Sequence, residues 1–194
     1  YIIESYQRQG VSEIGFLLGY KNEMIIDYLE NSFPQLKKHY IIEKDQLGTG
    51  GAILQGIINS DGDQFIITNG DTFFDVDLKK MMEHHNEAEC SIALKPMINF
   101  DRYGSVTLDA NNHITEFNEK KFCDKGFING GVYILNKQAF LKHSFPNKFS
   151  FENEYLANKA LGKILKGFIS NGYFIDIGIP EDYSRAQKEL SIKI

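Results

Sequence analysis

The sequence predicts an α/β fold: a parallel, helix-covered sheet in the first half, with antiparallel or mixed strands laid against it in the second. Two observations carry this expectation. From Ile2 to Thr68, short apolar runs alternate with segments of helical spacing, the pattern of parallel strands joined by helices. After Asp77, strand-like runs follow one another, with the turn signal Asn111-Asn112 between two of them.

The elements follow in order. Ile2, Ile3 and Tyr6 have helical spacing and run to Gly10, a C-terminal stop. Ile14 and Phe16 to Leu18 form a short strand, and Met24, Ile25, Tyr28 and Leu29 an amphipathic helix. His39 to Glu43 reads as a strand, Gly50 to Asn59 as a helix opened by glycines, and Phe65 to Thr68 as a buried strand. Leu78 to Asn86 is expected to be helical, with Asp77 as its N-cap. Strands are expected at Cys90–Lys95, Ser105–Asp109, His113–Phe117, Gly130–Leu135, Lys163–Ile169 and Tyr173–Ile177, and a closing helix at Pro180–Leu190 with Pro in its first turn. His84 and His85 are adjacent, so on different helix faces, and both are expected at the surface. No repeat, low-complexity tract or linker interrupts the 194 residues, which read as a single domain.

Composition narrows the function classes. Hydrophobic residues make up 42% and charged residues 24%, an ordinary globular balance. The net charge of -5 speaks against nucleic acid bound on a broad basic face, while a local pocket can still hold an anionic small molecule. Cys90 and Cys123 make neither a zinc spacing nor a disulfide framework, and fit reduced thiols in a cytoplasmic protein. No apolar run reaches the ~18 residues of a membrane span, so no membrane partner is expected. A homo-oligomer is compatible with all of this.

Four segments could carry chemistry. Asn69-Gly70-Asp71 follows a buried strand, and ligands of open α/β sheets bind beyond strand carboxyl ends. Asp71 is therefore either a ligand for Mg²⁺, a hard cation that takes one or two carboxylates plus phosphate oxygens, or a turn cap. Leu47-Gly48-Thr49-Gly50-Gly51 opens a helix, where free N–H groups suit anions or base edges; the P-loop spacing is absent. Asp176-Ile177-Gly178-Ile179-Pro180 again ends a strand in a carboxylate, so Asp71 and Asp176 could share one metal. The second half adds Asp101-Arg102-Tyr103-Gly104, Glu119-Lys120-Lys121 and Asn129-Gly130-Gly131, each a candidate for phosphate or sugar hydroxyls, although each taken alone reads more readily as a solvated loop. Asp75-Val76-Asp77 also spells a D-x-D metal pattern, which competes with the capping role of Asp77.

Taken together and in this order, the segments resemble the sugar nucleotidyltransferase family over the whole chain. Leu47–Gly51 is similar to its L-G-T-x-G turn, Asn69–Asp71 to its G-D metal motif and Phe117–Lys121 to its F-x-E-K motif. Asn129–Tyr133 is similar to N-x-G-V-Y, and Tyr173–Pro180 to W-x-D-I-G-T-P. The wording of Leu94–Gly104 and Glu119–Phe122, with Ile179 in place of Thr, resembles the branch of guanylyltransferases that act on D-glycero-α-D-manno-heptose 1-phosphate. The resemblance implies a Rossmann-like, GT-A-like nucleotide-diphospho-sugar transferase fold: a mixed, mostly parallel sheet with an inserted antiparallel sugar-binding region.

By the same resemblance, the partners are a nucleoside triphosphate and a sugar 1-phosphate, and the cofactor is Mg²⁺ held by Asp71 and Asp176. Gly48, Thr49, Gly50, Asn69 and Gly70 would meet the nucleotide. Arg102, Tyr103, Gly104, Glu119, Lys121, Asn129 and Gly130 would shape the sugar-phosphate pocket, with Lys120 as the phosphate cation. The family's opening strand and its G-G-x-G-T-R-L loop do not occur in this sequence. Tyr1 aligns just after them, which implies about 25 to 35 further residues upstream, the scale of a loop-plus-strand unit. A guanylyl-, uridylyl- or thymidylyltransferase for mannose or glucose 1-phosphate, a glycosyltransferase using Asp75 and Asp77, and a non-catalytic binder of nucleotide sugars remain open.

Overall fold

The computed structural model describes residues 1–86 and 88–193. The chain runs α1 (Ile2–Arg8), β1 (Glu13–Leu18), α2 (Asn22–Ser32), β2 (Lys37–Ile42), α3 (Gly48–Ile58), β3 (Gln64–Thr68), β4 (Thr72–Phe74) and α4 (Leu78–His85). It continues with β5 (Cys90–Phe100), β6 (Ser105–Leu108), β7 (Ile114–Phe117), β8 (Cys123–Asn136) and α5 (Lys137–Phe140). A π-helical turn (Phe151–Leu156), α6 (Ala157–Lys159), β9 (Leu165–Ile169), β10 (Phe174–Asp176) and α7 (Pro180–Lys193) complete it. The capping expectation holds, because the Asp77 carboxylate accepts from the Lys80 backbone N–H at 3.0 Å. That use of Asp77 removes the D-x-D reading.

β8 is the spine of the main sheet. β5 lies antiparallel along one edge, from Cys90 opposite Leu135 to Phe100 opposite Cys123. The other edge is shared by β3, which pairs the second half of β8, and β6, which pairs the first. β9 adds parallel to β5, and β7 adds antiparallel to β6. The sheet is mixed and carries the antiparallel insertion, but it is not mostly parallel. Among the described residues only β1–β2 and β5–β9 are parallel ladders; the other five are antiparallel. The physical reason is β3. It pairs with β8 rather than with β1, so β1–β2 stands as a separate ladder, and β1 and β3 each keep one edge without a strand partner among the described residues.

Strand alternation splits β8 between two cores. Tyr133 and Leu135 face α3 and the π-helical turn, packing with Ile53, Ile57, Ile92, Phe149, Phe151 and Tyr155. Val132 and Ile134 face the opposite way, onto Tyr6, Phe74, Leu78 and Met81. Each fully buried side chain of this kind contributes about 1.5–3 kcal/mol. A third cluster joins Phe73 of β4 and Ile175 of β10 to Ala186 and Leu190 of α7, and so fixes the β4–β10 pair against the last helix.

His85 departs from the expected surface position. It is fully buried, its Nδ1 lies 2.8 Å from the Ser91 hydroxyl, and its Nε2 has no partner among the described residues. His84 is half-buried, with its ring 5.6 Å from that of Phe168. Successive helical residues are only about 100° apart, so a helix laid against a sheet can cover both on one broad face.

Candidate active site

The backbones of the two strand-end aspartates come together at the end of the β4–β10 pair. Asp176 stands opposite Thr72, and the Ile177 N–H donates to the Asp71 carbonyl at 3.0 Å, so Asp71 and Asp176 are one rung apart on neighbouring strands. Asp71 is exposed and Asp176 half-buried. One oxygen of Asp176 accepts from the Gly178 N–H at 2.7 Å, which orients the carboxylate at the strand end. No group of three or more His, Cys, Asp or Glu among the described residues could cage a metal. Two carboxylates suit a hard divalent cation only where it draws its other ligands from elsewhere, such as phosphate and water.

A continuous line of contacts runs from the glycine-rich turn to these aspartates. Thr49 Oγ1 donates to Glu152 at 2.7 Å and accepts from the Phe151 N–H at 2.9 Å. Behind it, Phe151 packs edge-on to Tyr133 at 5.1 Å, and the Tyr133 hydroxyl accepts from Asn129 Nδ2 at 2.9 Å. Burial, first, and the nearby Glu152 carboxylate push the Tyr133 pKa up, so it stays a neutral hydroxyl. Asn129 Oδ1 accepts from Gly131 N–H, and the Gly131 carbonyl accepts from Asn69 N–H, both at 2.9 Å. Gly130, between them, is buried in the strand. Asn69 leads through exposed Gly70 to Asp71.

The glycine-rich turn is not an open cradle. The Gly50 N–H already donates to the Phe149 carbonyl at 3.0 Å, and a Cβ on Gly50 would overlap the Phe149 ring. Gly48 is held as closely, since its φ is +73° and a Cβ there would stand 2.5 Å from the Phe149 carbonyl oxygen.

On the far side of the aspartates lies a cleft of about 250 Å³ lined by Met97, Asn99, Phe100 to Tyr103, Phe174 to Asp176, Asp182 and Arg185. The Arg102 guanidinium sits 5.6 Å over the Tyr103 ring, and Tyr103 packs edge-on to Phe174 at 5.9 Å. Burial, and then the Asp176 carboxylate, raise the Tyr103 pKa, which places that phenol beside Asp176. Gly104 lets the next loop close in: a Cβ there would stand 2.5 Å from the Asn118 carbonyl oxygen. Glu119, Lys120 and Lys121 follow that contact. All three are exposed, and the structure draws none of them into a hydrogen bond or ion pair with the rest of the described site.

Sequence reasoning missed Glu152, Asp182 and Arg185, and named Tyr133 only inside the N-x-G-V-Y motif, without a role of its own. Glu152 and Asp182 read as first-turn acids complementing a helix dipole, and Arg185 as a solvated helix residue.

The profile of the family described as Nucleotidyl transferase matches residues 1–192. The D-glycero-alpha-D-manno-heptose 1-phosphate guanylyltransferase of Aneurinibacillus thermoaerophilus is 46% identical over 192 residues, 98% of this chain and 83% of its own length. The protein of the same name from Campylobacter jejuni is 42% identical over 183 residues, 94% of this chain and 81% of its own. Among solved structures, HddC from Yersinia pseudotuberculosis superposes with a TM-score of 0.87 at 37% identity, covering 97% of this chain and 83% of that one. The same Yersinia protein is also described complexed with GMP-PN. With a matching profile over nearly all its length and relatives well above 30% identity, the chain belongs to the nucleotidyl transferase family of enzymes.

Proposed function

We propose that the protein transfers GMP from GTP to D-glycero-α-D-manno-heptose 1-phosphate, releasing pyrophosphate and giving GDP-heptose. The observation that carries this is the likeness, over nearly the whole chain, to two guanylyltransferases of that heptose phosphate. The adjacency of Asp71 and Asp176 supports it from the chemistry.

The sugar phosphate is the nucleophile. Its second pKa is near 6, so it is ionised at neutral pH and needs no general base. One of its oxygens forms a bond to the α-phosphorus of GTP while the bond from that phosphorus to the β-phosphate oxygen breaks, in line. Pyrophosphate carries away the electron pair, and no proton moves. What the protein supplies is alignment and charge neutralisation. Asp71 and Asp176 would hold Mg²⁺, which lowers the negative charge that the two reacting phosphates present to each other. Gly48, Thr49, Gly50, Asn69 and Gly70 position the guanine nucleotide. Arg102, Tyr103, Gly104, Glu119, Lys121, Asn129 and Gly130 receive the sugar phosphate, and Lys120 neutralises its phosphate.

The free edges of β1 and β3 support one structural addition. Leu17 of β1 and Phe65 and Ile67 of β3 pack on the same cluster beneath α3, so the two edges flank one helix. A strand from outside the described residues would fill the slot between them, adding ladders to both. An upstream-extended gene product that melts at the same temperature as residues 1–194 would count against this.

The test of the activity is a pyrophosphate-release screen of the full-length gene product, with four triphosphates against a panel of sugar 1-phosphates. The reading expects GTP with heptose 1-phosphate to give the highest kcat/KM. A preference for UTP or dTTP, or for a hexose 1-phosphate, overturns it.

A further inference from the structure

Among the described residues Asp182 is the only carboxylate in the buried class, 5% exposed. It stands in the first turn of α7, where an acid complements the helix dipole from the surface and needs no burial. Here both its oxygens are engaged. Oδ2 accepts from Arg102 Nη1 at 2.6 Å, and Oδ1 pairs with Arg185 Nη2 at 3.0 Å. The two guanidinium groups come from distant parts of the chain, the loop after β5 and the second turn of α7. Both line the same 250 Å³ cleft as Asp176 and Tyr103. Asp182 is also the first cause of the raised Arg102 pKa.

A guanidinium has five N–H donors in a planar fork. Asp182 engages one of those on Arg102, whose side chain remains 43% exposed. On Arg185, which is 55% exposed, Nη2 meets Asp182, Nε lies 3.5 Å from Glu189 and the Tyr173 hydroxyl is a further partner, so Arg102 carries the more open fork. Glu189 is itself held by the Tyr173 hydroxyl at 2.6 Å, so the second arginine is braced from behind. Asp182 offsets one of the two guanidinium charges in a lining that also holds Asp101 and Asp176, so the cleft offers an anion oriented donors rather than an excess of positive charge, and forked donors of this kind match phosphate oxygens. Without the carboxylate, the two cations would repel each other and regain the side-chain freedom that binding must then remove. A buried ion pair is a weak source of net stability compared with apolar packing, so stability alone does not account for this one.

We infer that Asp182 is the positioning residue of a phosphate-monoester subsite, fixing Arg102 and Arg185 so that their remaining N–H donors meet the phosphate of the sugar 1-phosphate beside Asp176. The inference rests on the nucleotidyl-transfer reading for the identity of the phosphate, and adds Asp182 and Arg185 to the site.

The experiment pairs kinetics with a binding readout on the full-length protein. Asp182→Asn keeps the size and one acceptor but removes the charge. It should raise KM for the sugar 1-phosphate by roughly 10–100-fold, the usual loss when a group that orients a ligand-binding residue is removed. KM for GTP and the melting temperature should stay close to those of the parent. Asp182→Glu should recover part of the loss. Independently, inorganic phosphate titrated against the protein should broaden in its phosphorus NMR signal, and Asp182→Asn and Arg102→Gln should abolish that broadening. A parent that releases no pyrophosphate but binds phosphate in an Asp182-dependent way sinks the activity reading and leaves this inference standing. Equal rises in both KM values with a lowered melting temperature, or phosphate binding indifferent to Asp182→Asn, overturn it and reduce Asp182 to an anchor for α7.

Discussion

The two ends of the site are built differently. Around the glycine-rich turn, polar groups are already matched within the chain: Thr49 with Glu152 and the Phe151 N–H, Gly50 with Phe149, Asn129 with Tyr133 and Gly131. On the rim that follows β7, the charged groups of Glu119, Lys120 and Lys121 stand exposed. The first region is set before a ligand arrives, so it adds little ordering cost to binding. The second keeps its charges in water until a charged ligand offers better partners. Asp71 and Asp176 are the seam between the two.

That contrast can be broken at four points, from the largest expected effect to the smallest. Asp176→Asn cuts the seam. It should lower kcat by about 10²–10³-fold or more, the scale of losing one preorganised electrostatic group, with a melting temperature near the parent's; steady-state pyrophosphate release and a thermal melt check both halves. Phe149→Ala attacks the matched region from below. Phe149 is buried, stacks on Phe145 at 4.6 Å and fills the space beside Gly50, so its loss should cost about 3–5 kcal/mol in urea unfolding and raise KM for GTP more than for the sugar phosphate. Lys120→Ala tests the open rim in the opposite sense: unfolding free energy should change by less than about 0.5 kcal/mol while KM for the sugar phosphate rises. A Lys120→Ala variant that unfolds early would show that the rim supports the fold no less than the base turn does.

The smallest effect is one of pH and lies behind both regions. Burial, first, and Lys166 and His84 next, hold the His85 pKa below its ordinary value of 6.5. The unfolded chain therefore binds the proton more readily than the folded one. The stability contributed by neutral His85 is full above pH 6.5 and is lost as pH falls below that value toward the folded-state pKa. Unfolding free energies measured from mildly alkaline to mildly acidic pH should decline over that window, and less so in His85→Gln.

Much of the fold was legible because periodicity reports which face is covered. Helices such as Leu78–His85 and strands such as Gln64–Thr68 followed from it directly, and so did the carboxylates at strand ends. Three kinds of feature were not legible. β4 has only three residues, Thr72–Phe74, all buried on both sides, and a run that short has no period. β5 and β8 extend well past their apolar stretches, to Phe100 and back to Cys123, because the mutual ladder continues where side chains turn outward and lose their pattern. Asp182 and Glu152 look like any acid in a first helical turn; only the fold brings Arg102 to one and Thr49 to the other. The direction of β3 was lost for a related reason. Its residues give strand character, but its partner β8 lies more than sixty positions further along the chain.

The two bare strand margins of β1 and β3 carry a consequence for how this polypeptide behaves in a tube. Half-covered apolar residues such as Phe16 and Ile67 flank rows of backbone donors and acceptors with no ladder to join among the described residues. Such margins template the addition of foreign strands, the first step toward aggregates. A strand paired with both margins would therefore protect solubility as much as it added ladders, and concentration-dependent light scattering gauges how far the bare margins associate.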